Sequence, residues 1–180
     1  MKGILFCEFI EYLEETIGDD TAQEIIDETE LASDGAYSRV GQYDYQELIA
    51  LLTTTASKTH SDTENLLQGF ADHLFGVFKR DYGVFFENTE NAADMLKTID
   101  DHIHVEVKKL YPDAELPKFD YQEKEGKLHL EYRSPRPLAS VAYALVNACL
   151  KYYDNNDVLL SYDIAEDQKS ASFVIKTCLN

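Results

Sequence analysis

The chain has 180 residues, 44% of them hydrophobic, with 34 acidic against 16 basic side chains and a formal charge of −18. That length fits one domain able to bury roughly two-thirds of its unfolded surface without staples, and that charge repels nucleic-acid phosphates and anionic membrane surfaces. Nucleic acid and membrane are therefore excluded as partners, and no run approaches the roughly 20 apolar residues of a spanning helix. Cys7, Cys149 and Cys178 form no CxxC pair, and their odd number argues against a disulfide framework. The opening MKGILFCEFIEYLEE is interrupted by Glu8, Glu11, Glu14 and Glu15 before any cleavage site, so the expected location is the cytoplasm.

In chain order, Leu5, Phe6, Phe9, Ile10, Leu13 and Ile17 recur at helical steps and predict a helix from Lys2 to Ile17, stopped by Gly18-Asp19-Asp20. A short helix is expected over Ala22–Leu31 and another over Tyr45–Ala56, with a turn-rich loop between them. Ser61 and Glu64 form a capping-box pattern ahead of a wide apolar stripe, Leu66, Leu67, Phe70, Leu74, Phe75 and Phe78. ENTENAAD opens a further helix that runs unbroken to Pro112, which ends it. The texture then alternates: KFDYQEKEGKLHLEYR reads as a hairpin about Glu125-Gly126, Pro137–Tyr153 as a helix, and the remainder as two strands about AEDQKS. The expected fold class is α+β, with N-terminal helices followed by a small antiparallel sheet that holds a long helix.

Glu131–Leu138, EYRSPRPL, holds Arg133 and Arg136 in a segment framed by Pro135 and Pro137. In extended chain Tyr132, Ser134 and Arg136 project to one side, and each proline stiffens the residue before it. A phenol, a hydroxyl and a forked guanidinium on one side suit a carboxylate or phosphate. Two readings stand open for these three residues: an anion receptor, or an arginine paired with a local acid beside a tyrosine that caps the core. In DDHIHVEVKKLYP, His102 and His104 lie about 200° apart on a helix and cannot chelate one metal together. Asp100 and Lys108 flank His104 one turn to either side, and periodicity does not decide whether it faces core or solvent.

The histidine helix, the tripeptide Leu110–Pro112 after it, the YxSxR comb of Tyr132, Ser134 and Arg136, and the opening MKGILF together resemble the haem nitric oxide/oxygen binding (H-NOX) family. The likeness is to its stand-alone bacterial members, related to the haem domain of soluble guanylate cyclase, and it covers essentially the whole chain in the same order. It implies one haem-binding sensor domain over 1–180, with a distal helical part over about 1–60 and a haem-holding proximal part over about 61–180.

The resemblance further implies noncovalent haem b, with His104 as the axial iron ligand and Tyr132, Ser134 and Arg136 as the propionate clamp. Pro117, thirteen residues past His104, matches a proline that presses on and distorts the porphyrin. Leu5, Phe9, Leu74, Val141 and Leu145 match the distal pocket. Val141 stands where oxygen-binding relatives carry a tyrosine, so the pocket implied favours NO and CO, and Tyr143 lies about 200° around the helix from it. Ala71 departs from the glycine of many relatives. A cysteine-rich zinc site of some relatives is not matched, so no zinc is expected.

The implied function is a gas sensor, not an enzyme: NO or CO binds ferrous haem, the iron–His104 bond weakens or breaks, and a partner protein responds. A sensor histidine kinase or a cyclic-di-GMP enzyme is the partner type implied. Rival readings are an oxygen-binding or redox-sensing protein of the same fold, a haem enzyme with His73 as its distal acid–base group, and a haem-free module whose comb binds an anionic partner.

Overall fold

A computed structural model describes residues 1–87, 89–154 and 156–177; Cys178 lies outside the described residues. The chain forms two compact units, Met1–Leu74 and Phe75–Asn180.

The first unit is helical. Helix α1 spans Ile4–Ile17 and buries Phe6, Phe9 and Leu13 together with Glu8. It begins two residues later than its periodicity suggests, because Lys2 pairs with Gln42 as an isolated bridge and the Gly3 amide donates to the Gly41 carbonyl. It stops at Gly18, whose φ of 86° is open to glycine. Helix α2, Asp19–Glu28, starts and ends earlier than expected; Asp19 and Asp20 in its first turn complement the helix dipole.

Helix α3 spans Tyr45–Thr59 and is capped by Asp44, whose carboxylate accepts the Gln46 amide at 3.0 Å. Helix α4 runs over Thr63–Asp81, and the boundary between the units falls within it. Its cap is not Ser61. The Asp62 carboxylate faces the Asn65 amide at 3.4 Å, while the Ser61 hydroxyl accepts from Thr59 at 2.9 Å; two adjacent residues could cap, and the helix starts at the second. In this unit α4 approaches α1 at Gly69, where a Cβ would lie 2.2 Å from the Tyr12 hydroxyl. Phe9 and Phe70 pack edge to face at 4.9 Å, and Phe6 stacks on Tyr37 at 4.6 Å.

The second unit carries the sheet. Helix α5, Ala92–Thr98, is capped by Asn91 through the Asp94 amide at 2.8 Å. It passes into a wider π turn over Ile99–Ile103 and then into α6, His104–Leu110. The single unbroken helix expected here is therefore interrupted just before His104, a kind of bulge frequent at functional sites. The segment ends where expected, at Tyr111 before Pro112.

Strands β1 (Lys118–Lys124), β2 (Lys127–Arg133), β3 (Val158–Ile164) and β4 (Ser170–Lys176) form an antiparallel sheet in the order β1-β2-β4-β3. Lys124 pairs with Lys127, so the first hairpin closes through Glu125-Gly126, with φ values of 53° and 70° that suit a two-residue turn matched to strand twist. Leu128, Leu130 and Tyr132 of β2 face the same side as Ile175, Phe173 and Ala171 of β4, and all six are buried. Helix α7, Ala139–Tyr153, lies against β2, β3 and β4. The α+β architecture expected from the sequence is the one found. Among the described residues no helix is long and apolar enough to cross a membrane.

Candidate functional site

The π turn delivers His104 as the first residue of α6. Its Nδ1 lies 2.7 Å from Asp100 Oδ1, and its side chain is 17% exposed against 34% for the aspartate. An ionised carboxylate can only accept, so Nδ1 carries the proton. Burial lowers the imidazole's proton affinity below the ordinary histidine value, and Asp100 opposes this less strongly. The neutral ring therefore presents its lone pair on Nε2, the tautomer a metal takes. His102, in the π turn, is exposed. The two histidines that periodicity left undecided are thus separated, one turned inward and one outward.

A row of rings leads from His104 to the comb: Phe119 of β1 lies 6.0 Å from the His104 ring and 5.3 Å from Tyr132. Tyr132 is 3% exposed. Burial pushes its phenol above the ordinary tyrosine value, while a hydrogen bond to Ser134 and the charge of Arg136 pull the other way. The Ser134 amide donates to the Lys169 carbonyl at 2.8 Å, and the Ser134 hydroxyl accepts the Arg136 amide at 3.1 Å. The structure therefore brings all three members of the comb together.

Arg136 also has a local acid. Its Nη2 donates to Glu115 Oε2 at 2.5 Å and its Nη1 to the Glu115 carbonyl at 3.2 Å. Glu115 sits in the loop between α6 and β1, two residues before Pro117, which is partly buried ahead of β1. The paired-acid reading of Arg136 holds as a contact, with one guanidinium N–H on a carboxylate oxygen and another on a carbonyl of the same residue.

The residues matched to a distal pocket fall in both units. In the first, Phe9 and Leu74 are buried and Leu5 half-buried; in the second, Val141 and Leu145 are half-buried one turn apart on α7. Tyr143 packs on Tyr162 at 4.3 Å. Ala71 is buried. His73 faces α1: its Nε2 lies 3.1 Å from Glu8 and its Nδ1 3.4 Å from Glu15.

Sequence reasoning missed Phe119 and Glu115, and the buried acid Glu8. Glu8 is fully buried, and Arg39 Nη2 approaches its Oε1 to 2.6 Å. That oxygen has no aligned hydrogen bond, so the contact is an ion pair by distance, which attracts at any angle. Cys7 and Cys149 are free thiols.

The second unit thus sets His104 one ring away from the cluster of Tyr132, Ser134 and Arg136, beside a four-stranded sheet packed against α7. The family model for haem-NO-binding proteins matches residues 2–159. A K. algicida H-NOX protein in its Fe(II) unliganded state is 34% identical with a TM-score of 0.88, over 100% of this chain and 98% of that one. A Shewanella woodyi H-NOX, solved with IWP-051 bound in the Fe(II)CO state, is 31% identical with a TM-score of 0.80, over 99% and 95%. An S. oneidensis H-NOX in the Fe(II)NO state shares the fold at 21% identity and a TM-score of 0.86, over 99% and 100%. No curated protein matches. The chain belongs to the haem-NO-binding, or H-NOX, family.

Proposed function

We propose that this protein is a haem-based sensor of NO, and of CO, that holds haem b noncovalently and signals to a partner protein. The observation that carries this reading is the His104–Asp100 pair, which leaves a neutral imidazole with Nε2 as its remaining donor. The donor set fits haem: one imidazole for iron, and a guanidinium, phenol and hydroxyl for two carboxylates, joined by the Phe119 ring.

Ferrous haem, when bound, supplies the iron on which a diatomic gas is taken. His104 donates Nε2, and Asp100 fixes the ring's tautomer and orientation. Arg136, with Tyr132 and Ser134, would hold the propionates, and Pro117 would meet the porphyrin from the loop before β1. Leu5, Phe9, Leu74, Val141 and Leu145, the residues that match the family's distal pocket, carry no side-chain hydrogen-bond donor. Oxygen gains from such a donor and NO needs little, so Val141 biases the site toward NO and CO. His73 does not serve as a distal acid–base group, because Glu8 and Glu15 engage both its ring nitrogens.

With haem held, the signal would pass through His104, whose hold on the iron would couple the gas site to the π turn and α6. NO can shift the resting and signalling states only by the difference in its affinity for them. That segment is read by a partner, a sensor histidine kinase or a cyclic-di-GMP enzyme, and the protein itself catalyses no reaction.

The direct test is replacement of His104 by glycine. The ferrous absorption spectrum should lose its histidine-ligated form and regain it with added imidazole; a spectrum unchanged by the substitution would remove His104 from the site. Val141→Tyr should allow an oxygen complex to accumulate in air where the parent protein forms none.

A further inference from the structure

Arg136 is the most engaged member of the comb, and its anion is Glu115. The arginine side chain is 16% exposed, whereas that of the glutamate is 68% exposed in its loop. Nη2 meets the side-chain carboxylate and Nη1 the main-chain carbonyl of the same residue. The carbonyl contact belongs to the backbone and survives any side-chain change. The carboxylate contact does not, and it is of the chemical kind a porphyrin propionate would make, a carboxylate oxygen against a guanidinium N–H. Two carboxylates of equal kind cannot take the same N–H edge at once.

We propose that Glu115 is a built-in rival of the haem propionate at Arg136, so that this exposed acid sets how tightly the protein retains haem. The inference rests on the clamp reading above. Its direction follows from charge: seated on Arg136, the glutamate neutralises the one cation the comb offers to an anionic porphyrin, in a chain already at −18. Because the glutamate is mostly in water, the pair is weak and exchangeable, and its removal is felt as a modest gain. Glu115→Gln keeps the size, a polar head and the backbone carbonyl, while removing the competing charge.

The experiment is transfer of haemin from the holoprotein to excess apomyoglobin, followed by absorbance, for the parent chain, Glu115→Gln, Arg136→Gln and the double variant. Glu115→Gln should slow transfer about two- to fivefold, the factor an exposed ion pair commands. Arg136→Gln should speed it, and in that background the glutamine at 115 should have little further effect. Faster or unchanged transfer from Glu115→Gln would overturn the rivalry and make Glu115 a support that orients Arg136. Equal slowing in both backgrounds would also overturn it, because the effect would then be general loss of negative charge. If Arg136→Gln instead transfers haemin at the parent rate, the clamp reading itself fails, an outcome visible without Glu115.

Discussion

His73 in the first unit and His104 in the second are both largely buried imidazoles set against carboxylates, at 14% and 17% side-chain exposure. Glu8 takes one nitrogen of His73 and Glu15 the other. Among the described residues, only Nδ1 of His104 is engaged by a hydrogen bond, to Asp100. Burial and an acidic neighbour are therefore common to a structural histidine and the proposed ligand; what separates them is whether the second nitrogen is engaged. The same contrast holds for the arginines. Arg39 is committed to a fully buried Glu8, while Arg136 holds a mostly exposed glutamate.

The sharpest way to break this contrast is to disturb each unit's charge pair. Arg39→Ala leaves Glu8 as a buried carboxylate with only His73 beside it, a loss of about 3 kcal/mol. Thermal unfolding of that variant should start roughly 6–12 °C lower, with the ferrous haem spectrum of any folded protein unchanged. Asp100→Ala should do the opposite. Its aspartate is partly exposed, so stability should change little, while haem–iron affinity measured by titration should fall roughly tenfold, as for loss of a partner behind a ligand. His73→Gln should cost about 1 kcal/mol in denaturant unfolding, because one flexible amide replaces a ring held between Glu8 and Glu15, again without spectral change. A haem spectrum altered by His73→Gln would erase the distinction between the two histidines.

The smallest expected effect is on pH. Burial, then the charge of Asp157, push the Cys149 thiol above its ordinary value of 9.0. The unfolded thiol then ionises first as pH rises, so the folded state binds more protons and stability is lost with increasing pH from about 9 upward. Cys149→Ala should flatten that alkaline decline in a series of melting temperatures. Cys7 is also raised by burial, with Arg39 opposing, so Cys7→Ala should flatten it less.

Much of the frame was legible in the sequence for local reasons. Glu125-Gly126 between alternating runs gave the hairpin, Pro112 ended the histidine helix, and the apolar spacing of α7 gave a helix that begins only two residues after the expected Pro137. The grouping of Tyr132, Ser134 and Arg136 was legible because alternation and two prolines act within six residues. His104 was not, since periodicity left its face open and only the family resemblance chose it over His102. The π turn leaves no mark in IDDHI, which contains neither glycine nor proline. Glu115 joins Arg136 across 21 positions, and such non-local pairs have no signature in one sequence. Glu8 looked like an interruption of an apolar run; its burial depends on Arg39 and His73, brought in from a loop and another helix.

The most direct measurement is the absorption spectrum of the reduced, anaerobic protein expressed with a haem supply, repeated after NO and separately after air. The account predicts a ferrous haem spectrum that shifts with NO and forms no stable oxygen complex. Absence of any haem absorption would contradict it, returning Tyr132, Ser134 and Arg136 to an ordinary acid-paired corner of the fold.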